Sequence, residues 1–76
     1  MSLQVKLVGT LSRNNKTNRI VFNDEDGEVY ELVHEDKISS VEKELVSYLN
    51  RKAKIEVYGS QTTGNWFVYS KIQEVK

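Results

Sequence analysis

The sequence predicts a mainly β fold with one helix, a small five-stranded Greek-key barrel whose elements run β-β-β-α-β-β. Three observations lead there. Apolar and polar residues alternate in separate short stretches, the period of a strand with one buried face. Residues 39–51 instead space their apolar positions by three and four, the period of a helix. Turn-forming residues punctuate the stretches at short intervals. With 76 residues and no repeat or linker, residues 1–76 are expected to form a single domain.

The first strand is carried by Leu3, Val5, Leu7, Gly9 and Leu11, alternating with Gln4, Lys6, Val8 and Thr10. Gly9 interrupts it, and a glycine inside a strand marks a bulge or sharp bend. The polar residues 12–18 read as a loop. A second strand runs from Arg19 to Asn23 and a third from Glu28 to Val33. A three-residue turn, Glu25-Asp26-Gly27 with a left-handed glycine, pairs Phe22 with Tyr30 and Ile20 with Leu32. A two-residue turn would set Phe22 against Glu31, burying a charge or exposing the phenylalanine. The longer turn is therefore expected, with Arg19, Val21, Asn23, Val29, Glu31 and Val33 facing outward.

The helix over 39–51 places Ile38, Val41, Leu45, Tyr48 and Leu49 on one face. Ser39 and Glu42 have the form of a capping box, and Arg51 and Lys52 would complement the dipole in the last turn. Ala53, Ile55 and Val57 then alternate with Lys54, Glu56 and Tyr58 in a fourth strand ending at Gly59. Residues 60–65 form a loop, and a fifth strand runs from Trp66 to Val75.

A three-strand meander, a helix and a hairpin fit a barrel whose end is plugged by the helix, the oligonucleotide/oligosaccharide-binding (OB) architecture. The bend at Gly9 suits it, since the first strand of such a barrel must curl to pair on both sides. The stretch KIEVYGSQTTGNWFVYSKI resembles the fourth strand, loop and fifth strand of OB-fold nucleic-acid-binding domains, and VKLVGTLSR resembles their first strand. The resemblance spans most of the chain and rests on a glycine near strand ends and on alternation. A β-grasp fold would need only four main strands, and an SH3-like barrel would not use a helix of this length.

Several chemistries find no support. Without cysteine there is no disulfide, thiolate metal site or thiol nucleophile. The single His34 has no recognisable partner for nucleophilic or acid–base work and reads as a surface residue, so the chain is expected not to be an enzyme. Asp24, Asp26 and Glu28 resemble part of a calcium loop but lack its later glutamate. Asn15-Lys16-Thr17 matches a glycosylation sequon without a secretory signal. No cofactor or metal is expected. No apolar run approaches the length of a membrane span, so a soluble, cytoplasmic chain is expected.

Eleven basic and eleven acidic residues give a net charge of zero, but the zero is partitioned. Residues 1–23 carry +4, residues 24–36 carry −7, and Arg51, Lys52 and Lys54 add +3. Local potentials steer ligands more than totals do. Single strands are held by a basic groove and by aromatic rings beneath the bases. If Trp66, Val68 and Ile72 point inward, Phe67, Tyr69 and Lys71 point outward beside Tyr58 and Lys54. Arg13, Lys16 and Arg19 occupy the first loop and the start of the second strand, where OB folds meet their ligands. Those eight residues form the candidate site for single-stranded DNA or RNA. Ser70 breaks the apolar alternation, which leaves the facing of Phe67 and Tyr69 open, and Glu31 would repel phosphate on the usual ligand face. The alternative is a protein-interaction or self-assembly module, with Val21, Val29 and Val33 forming an apolar stripe edged by Glu31.

Overall fold

The computed structural model describes residues 4–35 and 41–75, and of residues 41 and 42 the backbone only. Five strands, β1 (Val5–Arg13), β2 (Ile20–Asp24), β3 (Val29–His34), β4 (Lys54–Gln61) and β5 (Trp66–Glu74), and one helix, α1 (Val41–Asn50), follow the expected order. The strands close into a barrel in the order β1-β2-β3-β5-β4. β3 and β5 run parallel, and the other neighbours run antiparallel. The chain leaves β3 through α1 and enters β4 beside β1, so the helix belongs to the long crossing that a Greek key requires.

β1 closes the ring because it pairs on both sides. Its second half lies against β2, its first half lies against β4, and Gly9 faces both Asp24 and Ile55. A Cβ at Gly9 would stand 2.0 Å from the Asn23 carbonyl oxygen. Only glycine lets β2 approach this closely while the strand bends.

The hairpin between β2 and β3 has the expected register, with Phe22 opposite Tyr30. Gly27 is left-handed at φ 91°, and Gly27 N donates to the Asp24 carbonyl at 3.2 Å. The Asp24 side chain accepts from the amides of Asp26 and Glu28 at 2.9 and 3.0 Å, the local bonding that makes aspartate a turn residue.

The core joins Leu11, Ile20, Phe22, Leu32, Leu45, Ala53, Ile55, Val57, Phe67 and Tyr69. Phe22, Ile55, Val57, Phe67 and Tyr69 are fully buried. Full burial of such side chains contributes about 1.5–3 kcal/mol each. The helix packs on β1 and β2 and inserts Leu45, with Val46, Tyr48 and Leu49 half-buried beside it. The expected capping box and Ile38 lie outside the described residues, as does the side chain of Val41. Arg51 and Lys52 follow the helix rather than belonging to its last turn. Lys52 N donates to the Leu49 carbonyl and Ala53 N to that of Tyr48, both at 3.1 Å. With Lys52 left-handed at φ 53°, this is a Schellman cap with lysine where glycine is usual.

The fifth strand reverses the expected facing of its first half. Tyr58 pairs with Lys71, but Gly59 pairs with Tyr69, so Ser70 is an extra residue without a cross-strand partner. This bulge resets the alternation. Phe67 and Tyr69 point into the core with no exposed surface, while half-buried Trp66 and Val68 lie on the outer wall. Beyond the bulge, Lys71 faces out and Ile72 packs on the core, as expected. Gly59 makes the bulge possible, since a Cβ there would stand 2.0 Å from the Val68 carbonyl oxygen.

Candidate nucleic-acid interface

The basic hairpin between β1 and β2 is built by asparagine. Asn14 N donates to the Arg19 carbonyl at 2.8 Å, and Asn18 N to the Asn14 carbonyl at 2.7 Å. The Asn14 side chain accepts from the amides of Lys16 and Thr17 at 2.8 and 3.2 Å. Asn18 takes the left-handed conformation at φ 60°, which asparagine tolerates better than most residues. The Arg13 guanidinium donates to the Asn18 carbonyl at 2.9 Å, so Arg13 and Arg19 flank one ordered loop. Lys16 stands exposed near its tip and has no ion-pair partner among the described residues.

Arg19 connects this loop to the barrel wall. Its guanidinium carbon lies 5.4 Å from the centroid of the Trp66 ring, within cation–π range. Its Nε lies 3.4 Å from Glu31 Oε1. Glu31 and Trp66 are register partners on the parallel strands β3 and β5, so both side chains emerge side by side on the outer face. Val21 belongs to the same wall. It is buried to 8% exposure yet lies outside the core cluster. The candidate apolar stripe therefore loses Val21. Val29 remains 45% exposed, and Glu31 and Val33 are half-buried.

Two other candidates occupy a different stretch of wall. Tyr58 is half-buried on β4, and the Lys71 ammonium lies 5.3 Å from its ring centroid. Glu56 accepts hydrogen bonds there from Gln73 Nε2 and, at 3.3 Å, from the Tyr58 hydroxyl. Lys6 Nζ lies 3.9 Å from the same carboxylate. The Gln73 hydrogen bond, joined by that of Tyr58 and by the charges of Lys6 and Lys71, holds the Glu56 carboxyl below its ordinary pKa against the opposing effect of burial. Lys54 is committed elsewhere, 2.6 Å from Glu25 Oε1.

The eight candidate residues thus do not form one groove. Arg13, Lys16 and Arg19 stay together, and Tyr58 and Lys71 form a separate pair. Lys54 is neutralised by the acidic turn. Phe67 and Tyr69 are core residues and offer no stacking surface; their outward assignment fails because Ser70 shifts the strand's parity by one. The outward ring that sequence reasoning missed is Trp66, for which an inward facing was the expectation. The break in alternation at Ser70 is the signal that could have found it.

His34 is half-buried rather than on the surface. Its ring meets Tyr69 edge-on at 5.0 Å. Burial raises the Tyr69 phenol well above its ordinary pKa, with Glu44 and Tyr48 adding to the effect. No group of three or more histidine or acidic side chains is placed to hold a metal ion among the described residues. No helix there is long and apolar enough to cross a membrane.

The Arg19–Glu31–Trp66 cluster presents a flat ring and a guanidinium on the outside of a barrel, beside a loop carrying two further cations. Such a surface can stack one planar group and hold an adjacent anion. No family model, curated protein or solved structure matches the chain.

Proposed function

We propose that the chain is a non-enzymatic OB-type binding module that takes single-stranded nucleic acid on the outer wall of β2, β3 and the start of β5. Trp66 is the stacking platform. Arg19, Arg13 and Lys16 contact the phosphates, and Tyr58 with Lys71 offers a second, separate contact. The observation that carries the reading is the Arg19 guanidinium 5.4 Å from the outward Trp66 ring, beside an ordered basic loop. The ring order β1-β2-β3-β5-β4 with parallel β3 and β5 supports the OB assignment. The acidic segment opposes phosphate less than its sequence suggests. Glu25 is matched by Lys54, and two backbone amides bind the Asp24 carboxylate.

Fluorescence anisotropy of a labelled twelve-nucleotide oligo-dT tests the reading. Binding at micromolar protein in low salt that weakens steeply as salt rises is the expected result. No binding of either DNA or RNA oligomers at low salt sinks it. The exposed Val29 keeps a second reading, self-assembly through the Val29–Glu31–Val33 face. It requires a dimer in sedimentation that Val29→Glu abolishes.

A further inference from the structure

We infer that Glu31 and Arg19 form a latch over Trp66, which a phosphate group of the ligand opens by exchanging with the Glu31 carboxylate. The inference rests on the nucleic-acid reading and adds how the site is kept closed when empty.

The geometry supplies each part. Arg19 leans over the ring of Trp66, within 5.4 Å of its centroid. It therefore covers the surface a base would need. A guanidinium over an aromatic face is attracted by the ring quadrupole, but weakly when exposed, and Arg19 is an exposed side chain (59%). Glu31 supplies the second hold at 3.4 Å from Arg19 Nε, from a side chain only 22% exposed. Register fixes that carboxylate. Glu31 is the cross-strand partner of Trp66, so the acid emerges beside the ring it guards and cannot drift away with a loop. Only the Arg19 side chain has to swing: its carbonyl is held by Asn14 N, while the solvent-exposed side chain spans the gap from loop to wall.

A nucleotide brings both replacements at once. Its phosphate takes the place of Glu31 as the guanidinium's anion, with the bidentate geometry arginine favours. Its base takes the place of the guanidinium on Trp66. No bond is made or broken; one ion pair and one ring contact are exchanged for another pair of the same kind. Glu31 then faces the bound strand without its cation, and that repulsion opposes binding. The acid on the ligand face acts as a threshold that only a ligand carrying both a ring and an anion can overcome.

The chain contains a single tryptophan, so fluorescence excited at the red edge, beyond tyrosine absorption, reports Trp66 alone. Acrylamide, a neutral quencher, measures its exposure in the free protein. Glu31→Gln and Arg19→Gln should both raise quenching. Glu28→Gln, which removes a charge from the same acidic segment without touching Arg19, should leave it unchanged. In the unaltered protein, raising salt should increase quenching, because exposed ion pairs are screened. Glu31→Gln should also tighten oligo-dT binding about two- to five-fold more than Glu28→Gln, the range expected for releasing one exposed ion pair. Quenching that ignores Glu31→Gln, Arg19→Gln and salt overturns the latch. Quenching that responds in a protein that binds no oligonucleotide retains the Arg19–Glu31 cover over Trp66, but overturns its opening by a nucleotide phosphate together with the nucleic-acid reading.

Discussion

Tyr69 and His34 face each other across the parallel β3–β5 ladder, their rings edge-on with centroids 5.0 Å apart. The contact seals Tyr69 in the core, where its hydroxyl has no hydrogen-bond partner among the described residues. A buried hydroxyl without a partner costs about 1–3 kcal/mol. Tyr69→Phe is therefore expected to stabilise the barrel by about 1 kcal/mol, raising the melting midpoint by roughly 4–8 °C for a domain of this size. Calorimetry checks this, and a lower midpoint would show that the hydroxyl has a partner in solution.

The same phenol predicts a pH dependence. Its folded pKa is raised above the unfolded value, so the neutral form is favoured by folding. That contribution is fully present below about pH 10, the ordinary tyrosine value, and is lost as pH rises through the folded pKa. Urea midpoints of the wild type should fall faster above pH 10 than those of Tyr69→Phe. Equal slopes would mean that Tyr69 titrates like an exposed tyrosine.

Glycine at position 9 has no substitute. Gly9→Ala sets a methyl 2.0 Å from the Asn23 carbonyl, so β2 or β1 must move. The expected loss is about 1–3 kcal/mol, the range for overpacking with backbone shifts, read as an earlier urea midpoint. A variant as stable as the wild type would mean that β1 bends elsewhere.

The helix stop offers the opposite opportunity. Lys52 occupies a left-handed position at φ 53°, which costs a residue with a Cβ about 1 kcal/mol relative to glycine. Lys52→Gly should recover most of that, less the extra entropy glycine brings to the unfolded chain. Chemical denaturation with an unchanged m-value is the measurement. A decrease in stability would assign the lysine a compensating contact.

Two rings on the outer wall can be told apart by binding. Trp66→Ala should weaken oligo-dT binding about 5- to 150-fold, the value of one base–aromatic stack. Tyr58→Ala should have less effect, since its ring sits apart from the Arg13–Arg19 loop. Lys16→Ala should reduce the salt slope by about 0.7, one phosphate contact on a single strand. If Tyr58→Ala is the more damaging, the ligand lies on the β4–β5 wall instead.

The sequence carried the fold further than the site, for a physical reason visible in β5. The order of elements along the chain and the Phe22–Tyr30 register follow from local signals: alternation, an Asp-Gly turn, and a glycine where a strand must bend. Side-chain facing in β5 depends on a parity that one residue can invert. Ser70 is that residue, and its loss of a partner is decided across the sheet at Gly59 rather than within the strand. Phe67 and Trp66 therefore exchanged roles. Lys54 illustrates a second limit: its charge was legible, but its partner Glu25 lies 29 positions earlier in the chain and meets it only because β2 returns along β1. Val21 shows a third, since burial on the outside of a barrel depends on which neighbours lie across it.

Because β1 is shared by two ladders, it cannot be peeled from β2 without also loosening its grip on β4. The barrel has no end strand that frays alone; opening at β1 breaks the circle. Unfolding should accordingly be all-or-none, with the slowest-exchanging amides on either side of Gly9, where the two ladders overlap. A chain of 76 residues gains from this closure a cooperativity that an open sheet with two free edges would lack.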